Sequence, residues 1–341
     1  RGGRTQRYAV AKVGVVGTTG WGTTLAIVLA RQGLDVWLWA RSEDEAEQLR
    51  SQGENTRFMP GVPFPPNVTL TSSADEAFHR AELALFAVPS RTLRDNARRV
   101  ADSLEQDTVV LSATKGLELR TGKRMSQILE EELPAPVRSH VCALSGPNLA
   151  AEIVQGKPSS TVVASADEKA ARKAQALVTS TRFRVYTNDD IVGVELAGAL
   201  KNIIALGAGI CDGLLQGDNA KAAFLTRGLA EIARLGVAAG ANPLTFAGLA
   251  GMGDLIATCA STLSRNHYVG EEIAKGKSLK EIRSSMVNVA EGVDTTAAAV
   301  SMAGSLGVEM PIAQATYKVL FNDVALDKAI SELLGRPPRP E

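Results

Sequence analysis

Eight short apolar runs in the first 188 residues constrain this chain more than any other feature. They are VAKVGVVG from Val10, DVWLWA from Asp35, VTLTSS from Val68, ELALFAVP from Glu82, TVVLSAT from Thr108, HVCALSG from His140, STVVAS from Ser160 and FRVYT from Phe183. Amphipathic segments separate them, among them Thr23 to Gln32, Glu43 to Ser51 and Arg91 to Leu104. Buried-type strands alternating with helices predict a doubly wound, mostly parallel sheet covered on both faces. From Asp189 the pattern changes to apolar helical periods punctuated by glycine and proline. The expectation is therefore an α/β domain over 1–188 and an all-α domain over 189–341, joined near Thr187 to Asp190. Ligands of open α/β sheets bind beyond the carboxyl ends of the strands, so helices packed there would close a cleft.

Composition narrows the function classes. The 37 basic and 37 acidic residues cancel, so no global field favours nucleic acid or an anionic membrane, and an anion site has to be local. Cys142, Cys211 and Cys259 lie far apart, without CxxC or histidine at ligand spacing. Neither a metal nor a disulfide framework is expected, and a reducing, cytoplasmic setting fits. The basic start, RGGRTQRYAVAK, has no apolar core of a signal peptide. The most apolar stretch, Ile191 to Leu215, is broken by Glu195, Lys201, Asn202 and Asp212. Each polar group would be costly in lipid, so a buried helix is expected there and not a membrane span.

The first run opens into GTTGWG, between a valine-rich strand and an alanine- and leucine-rich helix. This is the context of a Rossmann-type dinucleotide loop, G-x-G-x-x-G, with Gly17 for the turn and Gly22 for close helix packing. The middle glycine falls on Thr19, whose β-branched side chain stands where the backbone should approach a pyrophosphate. Either Gly20 lets Thr19 turn away, or the Thr18 and Thr19 hydroxyls donate to phosphate oxygens; both leave the helix N-terminus as an anion site. A plain strand-to-helix turn is the competing reading. A second frame, Gly14, Gly17, Gly20, suits short-chain dehydrogenases, but the required Tyr-x-x-x-Lys occurs only as Tyr8 to Lys12, before the first strand. About twenty residues past Gly17, where an NAD enzyme places an acid, stand Trp39, Ala40 and Arg41. An arginine there can take a 2′-phosphate, so NADP is admitted with NAD.

Three further stretches look too costly to be structural. Lys115, in SATKGLE, overhangs the ligand edge of a strand. SGPNLAAEI places Pro147 to suit the first turn of a helix whose free donors could hold an anion. GALKNIIALG buries Lys201 beside Asn202; burial disfavours the charged lysine and lowers its pKa, as a general base near neutrality needs. Downstream, GLAGMGDLIATCASTLSRNHYVG offers Asp254, Thr258, Ser264, Arg265 and Asn266. Its Ser-Arg-Asn set suits a phosphomonoester.

Taken in order, GWGTTLA, ATKGLE, SGPNLAAEI, GVELAGALKNIIALGAGICDGL, LTRGLAEIARLG, TFAGLAGMGDLIATC, SRNHYVG and VAEGV resemble the bacterial NAD(P)-dependent glycerol-3-phosphate dehydrogenases over nearly the whole chain. The resemblance implies interconversion of sn-glycerol 3-phosphate and dihydroxyacetone phosphate, feeding phospholipid synthesis, with NAD or NADP as a dissociable cosubstrate. It makes Lys201 the proton-transferring residue and a substrate contact. Lys115, Gly146, Asn148, Asp254, Ser264, Arg265 and Asn266 match substrate positions. Gly17, Thr19, Gly20, Trp21, Gly22, Arg41, Lys115, Ala150, Arg265, Val289 and Glu291 match cofactor positions. The family has a second glycine at Thr19, commonly serine at Gly20, and commonly serine at Asn148. A homodimer is expected, with no nucleic-acid partner and no transmembrane segment. Two other readings stay open: another two-domain hydroxyacid dehydrogenase, although those commonly carry Lys-x-x-Asn where Lys201 and Asn202 are adjacent, and a non-catalytic NAD(P)H-sensing protein.

Overall fold

The computed structural model of the chain describes residues 10–286 and 290–337. All eight expected strands form: β1 (Lys12–Val16), β2 (Asp35–Trp39), β3 (Val68–Thr71), β4 (Leu83–Phe86), β5 (Val109–Ser112), β6 (Val141–Ser145), β7 (Ser159–Ala164) and β8 (Phe183–Asn188). They make one sheet in the order β3-β2-β1-β4-β5-β6-β7-β8. Every neighbouring pair is parallel except β6 and β7, which run antiparallel. Strand order reverses between β1 and β4, and the ends of this pair flank the crevice where such sheets take their ligands.

The helices of this half are α1 (Gly20–Arg31), α2 (Glu43–Gln52), α3 (Ala74–Phe78), α4 (Leu93–Val100), α5 (Met125–Glu132), α6 (Ala135–Arg138), α7 (Ala150–Val154) and α8 (Glu168–Val178). Period-two alternation sorts the strand side chains between two cores. Val13, Val15, Leu83, Leu85, Val109 and Leu111 pack with α1 and α8, whereas Val16, Ala84, Phe86 and Val110 pack with α3, α4 and α5. Both faces are apolar, which is why the strands read as continuous hydrophobic runs.

After Asn188 the described residues hold only helices: α9 (Ile191–Gly213), α10 (Asp218–Ala238), α11 (Pro243–Ala247), α12 (Asp254–Ala260), α13 (Arg265–Ala274), α14 (Leu279–Ser285), α15 (Glu291–Leu306), α16 (Pro311–Phe321) and α17 (Leu326–Leu334), with a π-helical turn at Leu249–Gly253. Asp190 caps α9 through the N–H of Gly193. Helix α9 is long and apolar enough to cross a membrane, yet 83% of its most apolar window is buried inside the protein. Helices α10, α12, α13 and α15 and strand β6 surround it, so it is apolar all round because it is central.

Candidate active site

Helix α9 meets the sheet at a close crossing. A Cβ on Gly198 would lie 2.4 Å from Ser145 Oγ at the end of β6, so only glycine lets the helix come this near. One turn later Lys201 projects from the same face, 5% exposed. It does not snorkel to water. Its ammonium donates to Asp254 Oδ1 at 2.7 Å and to Thr258 Oγ1. Asp254 opens α12 and Thr258 stands one turn further, which places both beside Lys201. Burying an ammonium costs several kcal/mol unless it is paired, so Asp254 makes the buried lysine tolerable.

The other oxygen of Asp254 takes a second lysine. Lys115, in the loop after β5, donates to Asp254 Oδ2 at 2.6 Å and to the Gly146 carbonyl at 3.0 Å. Burial draws Lys115 down to about 8 against the pull of Asp254, and the charge of Lys201 adds to the drop. Two ammoniums facing one carboxylate leave this floor net positive, ready for an anion.

Helix α13 supplies the next wall. Ser264 caps it by accepting the N–H of His267 at 3.2 Å, and its own hydroxyl hydrogen has no acceptor among the described residues. Arg265 is solvent-accessible and has no ion pair among the described residues. Desolvation by the surrounding protein lowers its pKa, opposed by the charge of Glu291. Asn266 is partly spent: its amide donates to Asn202 Oδ1 and accepts from Gly292 N–H, each at 2.9 Å, tying α9, α13 and α15 together. Glu291, first residue of α15, accepts the Ser90 N–H at 3.2 Å and the Ser90 hydroxyl at 2.5 Å. Burial raises its pKa, and the bonds from Ser90 and the charge of Arg265 oppose the rise.

At the first loop the structure decides between the two readings of Thr19. Thr19 is the N-cap of α1; its hydroxyl accepts Gly22 N–H at 3.1 Å and donates to the Ala87 carbonyl at 2.7 Å. Thr18 donates to Glu45 Oε1 at 2.6 Å. Both hydroxyl hydrogens are therefore used inside the protein, and the expectation that they donate to phosphate is corrected; Thr19 turns in to cap the helix. A Cβ at Gly22 would lie 1.9 Å from the Gly17 carbonyl, so helix and turn can meet only with glycine there. Gly20 has room, with the nearest atom 3.6 Å from a Cβ. The Gly20 and Trp21 N–H groups have no partners among the described residues at the helix end. These features fit a dinucleotide pyrophosphate.

Other sequence-predicted residues fall less centrally. Pro147 precedes α7, which starts only at Ala150 and lasts five residues, so the expected first-turn proline and its anion site are corrected. The Asn148 amide donates to Thr161 Oγ1 at 2.9 Å, and its Oδ1 is buried without a partner. Trp21 packs its ring edge-on against Phe183, 6.5 Å between centroids. Arg41 is exposed beyond β2 and leans on Glu45 at 3.5 Å. Val289 lies outside the described residues.

Residues 12–171 match the model of the NAD-dependent glycerol-3-phosphate dehydrogenase N-terminus, and residues 190–331 that of its C-terminus. The chain belongs to this dehydrogenase family. A glycerol-3-phosphate dehydrogenase (NAD(P)+) of Dehalococcoides mccartyi is 53% identical over 96% of this chain and 91% of that protein. One from Chlorobium limicola is 47% identical over 96% and 99%. The crystal structure of glycerol-3-phosphate dehydrogenase from Coxiella burnetii superposes with a TM-score of 0.90 at 33% identity, covering 96% of this chain and 99% of that one.

Within this dehydrogenase framework, the sequence names Thr258 as a candidate beside Asp254 without a specific role, and three other residues have none. Ser90 lies at the ligand edge beyond β4, where strand-end hydroxyls are worth checking. Asn202 was noted only as the neighbour of Lys201. Glu45 carries no local sign of its bond to Thr18, 27 residues earlier.

Proposed function

We propose that this chain catalyses reversible hydride transfer between sn-glycerol 3-phosphate and dihydroxyacetone phosphate, with NAD or NADP as dissociable cosubstrate. The observation that carries the reading is the Lys115–Asp254–Lys201 cluster at the meeting of sheet and helices, with Arg265 and the Ser264 hydroxyl hydrogen on α13 unpaired among the described residues. The Gly17–Gly22 turn and the N-terminus of α1 would hold the dinucleotide, which would supply the hydride in the reduction and accept it in the oxidation. Lys201 donates a proton to the substrate oxygen on carbon 2 as charge develops during reduction, and takes it back in the oxidation. Asp254 and Thr258 aim its Nζ. Ser264, Arg265 and the N-terminus of α13 hold the phosphate, and Lys115 balances its charge.

The division of labour in this reading is a nucleotide-binding unit over 1–188 and a substrate-binding, catalytic unit over 189–341. Gly146, Asn148 and Asn266 shape the substrate side; Gly17, Gly20, Trp21, Gly22, Arg41, Ala150, Val289 and Glu291 serve the cofactor side. Supply of glycerol 3-phosphate for phospholipid synthesis and a cytoplasmic location belong to the same proposal. So does a homodimer. Its support is an open apolar groove of about 1470 Å³ lined by residues such as Phe224, Val237, Ile312, Val319 and Leu334.

Purified protein is expected to oxidise NADH or NADPH only when dihydroxyacetone phosphate is added. Replacing Lys201 by alanine should lower kcat by about 10²–10⁴-fold with nucleotide affinity retained. A folded wild-type protein without substrate-dependent oxidation overturns the function; unchanged kcat in the variant removes Lys201 from its role.

A further inference from the structure

One carboxylate bridges the ends of two neighbouring strands where the sequence shows no acid at the expected spacing. Glu45 is the third residue of α2 and turns back toward the sheet. Its Oε1 accepts the Thr18 hydroxyl at 2.6 Å, and its Oε2 accepts the Arg41 N–H at 3.1 Å. Thr18 follows Gly17 just past the end of β1, and Arg41 lies two residues past Trp39, the last residue of the adjacent β2. In dinucleotide-binding sheets the adenosine ribose lies over this pair of ends. An acid there accepts from the ribose 2′-hydroxyl, whereas NADP-binding proteins present arginine to a 2′-phosphate.

We propose that Glu45, tethered by Thr18, makes this chain prefer NADH over NADPH. The inference rests on the dinucleotide reading above and adds the nucleotide choice to it. The acid comes from the first turn of α2 instead of the end of β2. Its side chain is 24% exposed, so it is anchored yet reachable. Partial burial works against its charge, but the bonds from Thr18 and the Arg41 amide hold it below the usual carboxylate range, and it is ionised at neutral pH.

The nearby cations do not cancel this charge in favour of a phosphate. Arg41 is drawn to Glu45 itself. Arg99 lies 4.6 Å over the Trp39 ring and donates to the Arg41 carbonyl at 2.8 Å, so its guanidinium is already engaged. A 2′-phosphate dianion would meet Glu45 as a like charge, while a 2′-hydroxyl would find an acceptor.

Titration calorimetry of the full chain with NADH and NADPH tests this, with 5′-AMP and adenosine 2′,5′-bisphosphate as probes that need no turnover. Wild type is expected to bind NADH at least about tenfold tighter than NADPH, with the mononucleotides following the same order. Glu45→Gln should narrow the ratio about tenfold through a gain in NADPH, and Thr18→Val, which frees the carboxylate, should narrow it less. Equal or tighter NADPH binding by wild type, or an unchanged ratio in Glu45→Gln, overturns the proposal while leaving the function intact. Wild type binding neither nucleotide overturns the dinucleotide reading and this proposal with it.

Discussion

Two helix N-termini, each capped by a hydroxyl residue, face different jobs. At α1, Thr19 spends its hydroxyl wholly within the protein, accepting Gly22 N–H and donating to Ala87. At α13, Ser264 also accepts a backbone N–H but its hydrogen has no acceptor among the described residues, and a guanidinium follows immediately. The first end offers backbone alone, which suits a pyrophosphate diester with one charge on each phosphorus. The second adds a hydroxyl and a full positive charge, which suits a phosphomonoester dianion. On the proposed reading the same capping chemistry serves two anions, and the difference lies in what the cap leaves over.

The comparison is most exposed to failure on its charged side. Lys115 titrates at about 8 in the folded chain, well below its ordinary 10.5. Between those values the unfolded chain keeps a proton that the folded chain has shed. Stability from this group thus rises with pH across the window while the positive charge is lost. For dihydroxyacetone phosphate, kcat/KM should fall about tenfold per pH unit above about pH 8, and Lys115→Arg should remove that break. A wild-type profile flat to pH 10 would show that Lys115 does not balance the phosphate.

The caps themselves give a smaller and cleaner contrast. Ser264→Ala should raise KM for dihydroxyacetone phosphate about tenfold, because it removes a donor to a charged ligand. It should also cost about 1 kcal/mol of stability as a lost cap. Unchanged KM would place the phosphate elsewhere. Thr19→Ala should cost a similar ~1 kcal/mol in denaturant unfolding yet leave nucleotide affinity within about threefold. A tenfold loss of affinity there would show that the Thr19 hydroxyl reaches the ligand after all.

Much of this was legible in the chain itself, for definable reasons. The strands announced themselves because both faces of the sheet are buried, and Lys201 did so because a charge inside an apolar helix needs a reason. Period and composition report burial, and these are burial signals. The direction of Thr19 was not legible, since a hydroxyl can face inward or outward with the same spelling. Pro147 suggested an earlier helix start, but the chain bends at Gly146 and Pro147, Leu149 is still extended, and α7 begins only at Ala150. The Thr18–Glu45 and Ser90–Glu291 bonds join residues 27 and 201 positions apart, and no local pattern encodes such pairings.

Asp254 holds one lysine from the sheet half and one from the helical half, a separate oxygen for each. The halves cannot part here without drawing the Lys115 ammonium away from Asp254, which keeps Lys201, so opening the cleft is an electrical act as well as a mechanical one. On the proposed reading an arriving phosphate would compete with Asp254 for Lys115, and a departing one would hand that lysine back. Ionic strength and proton concentration would then act on the Lys115–Asp254 contact across the halves.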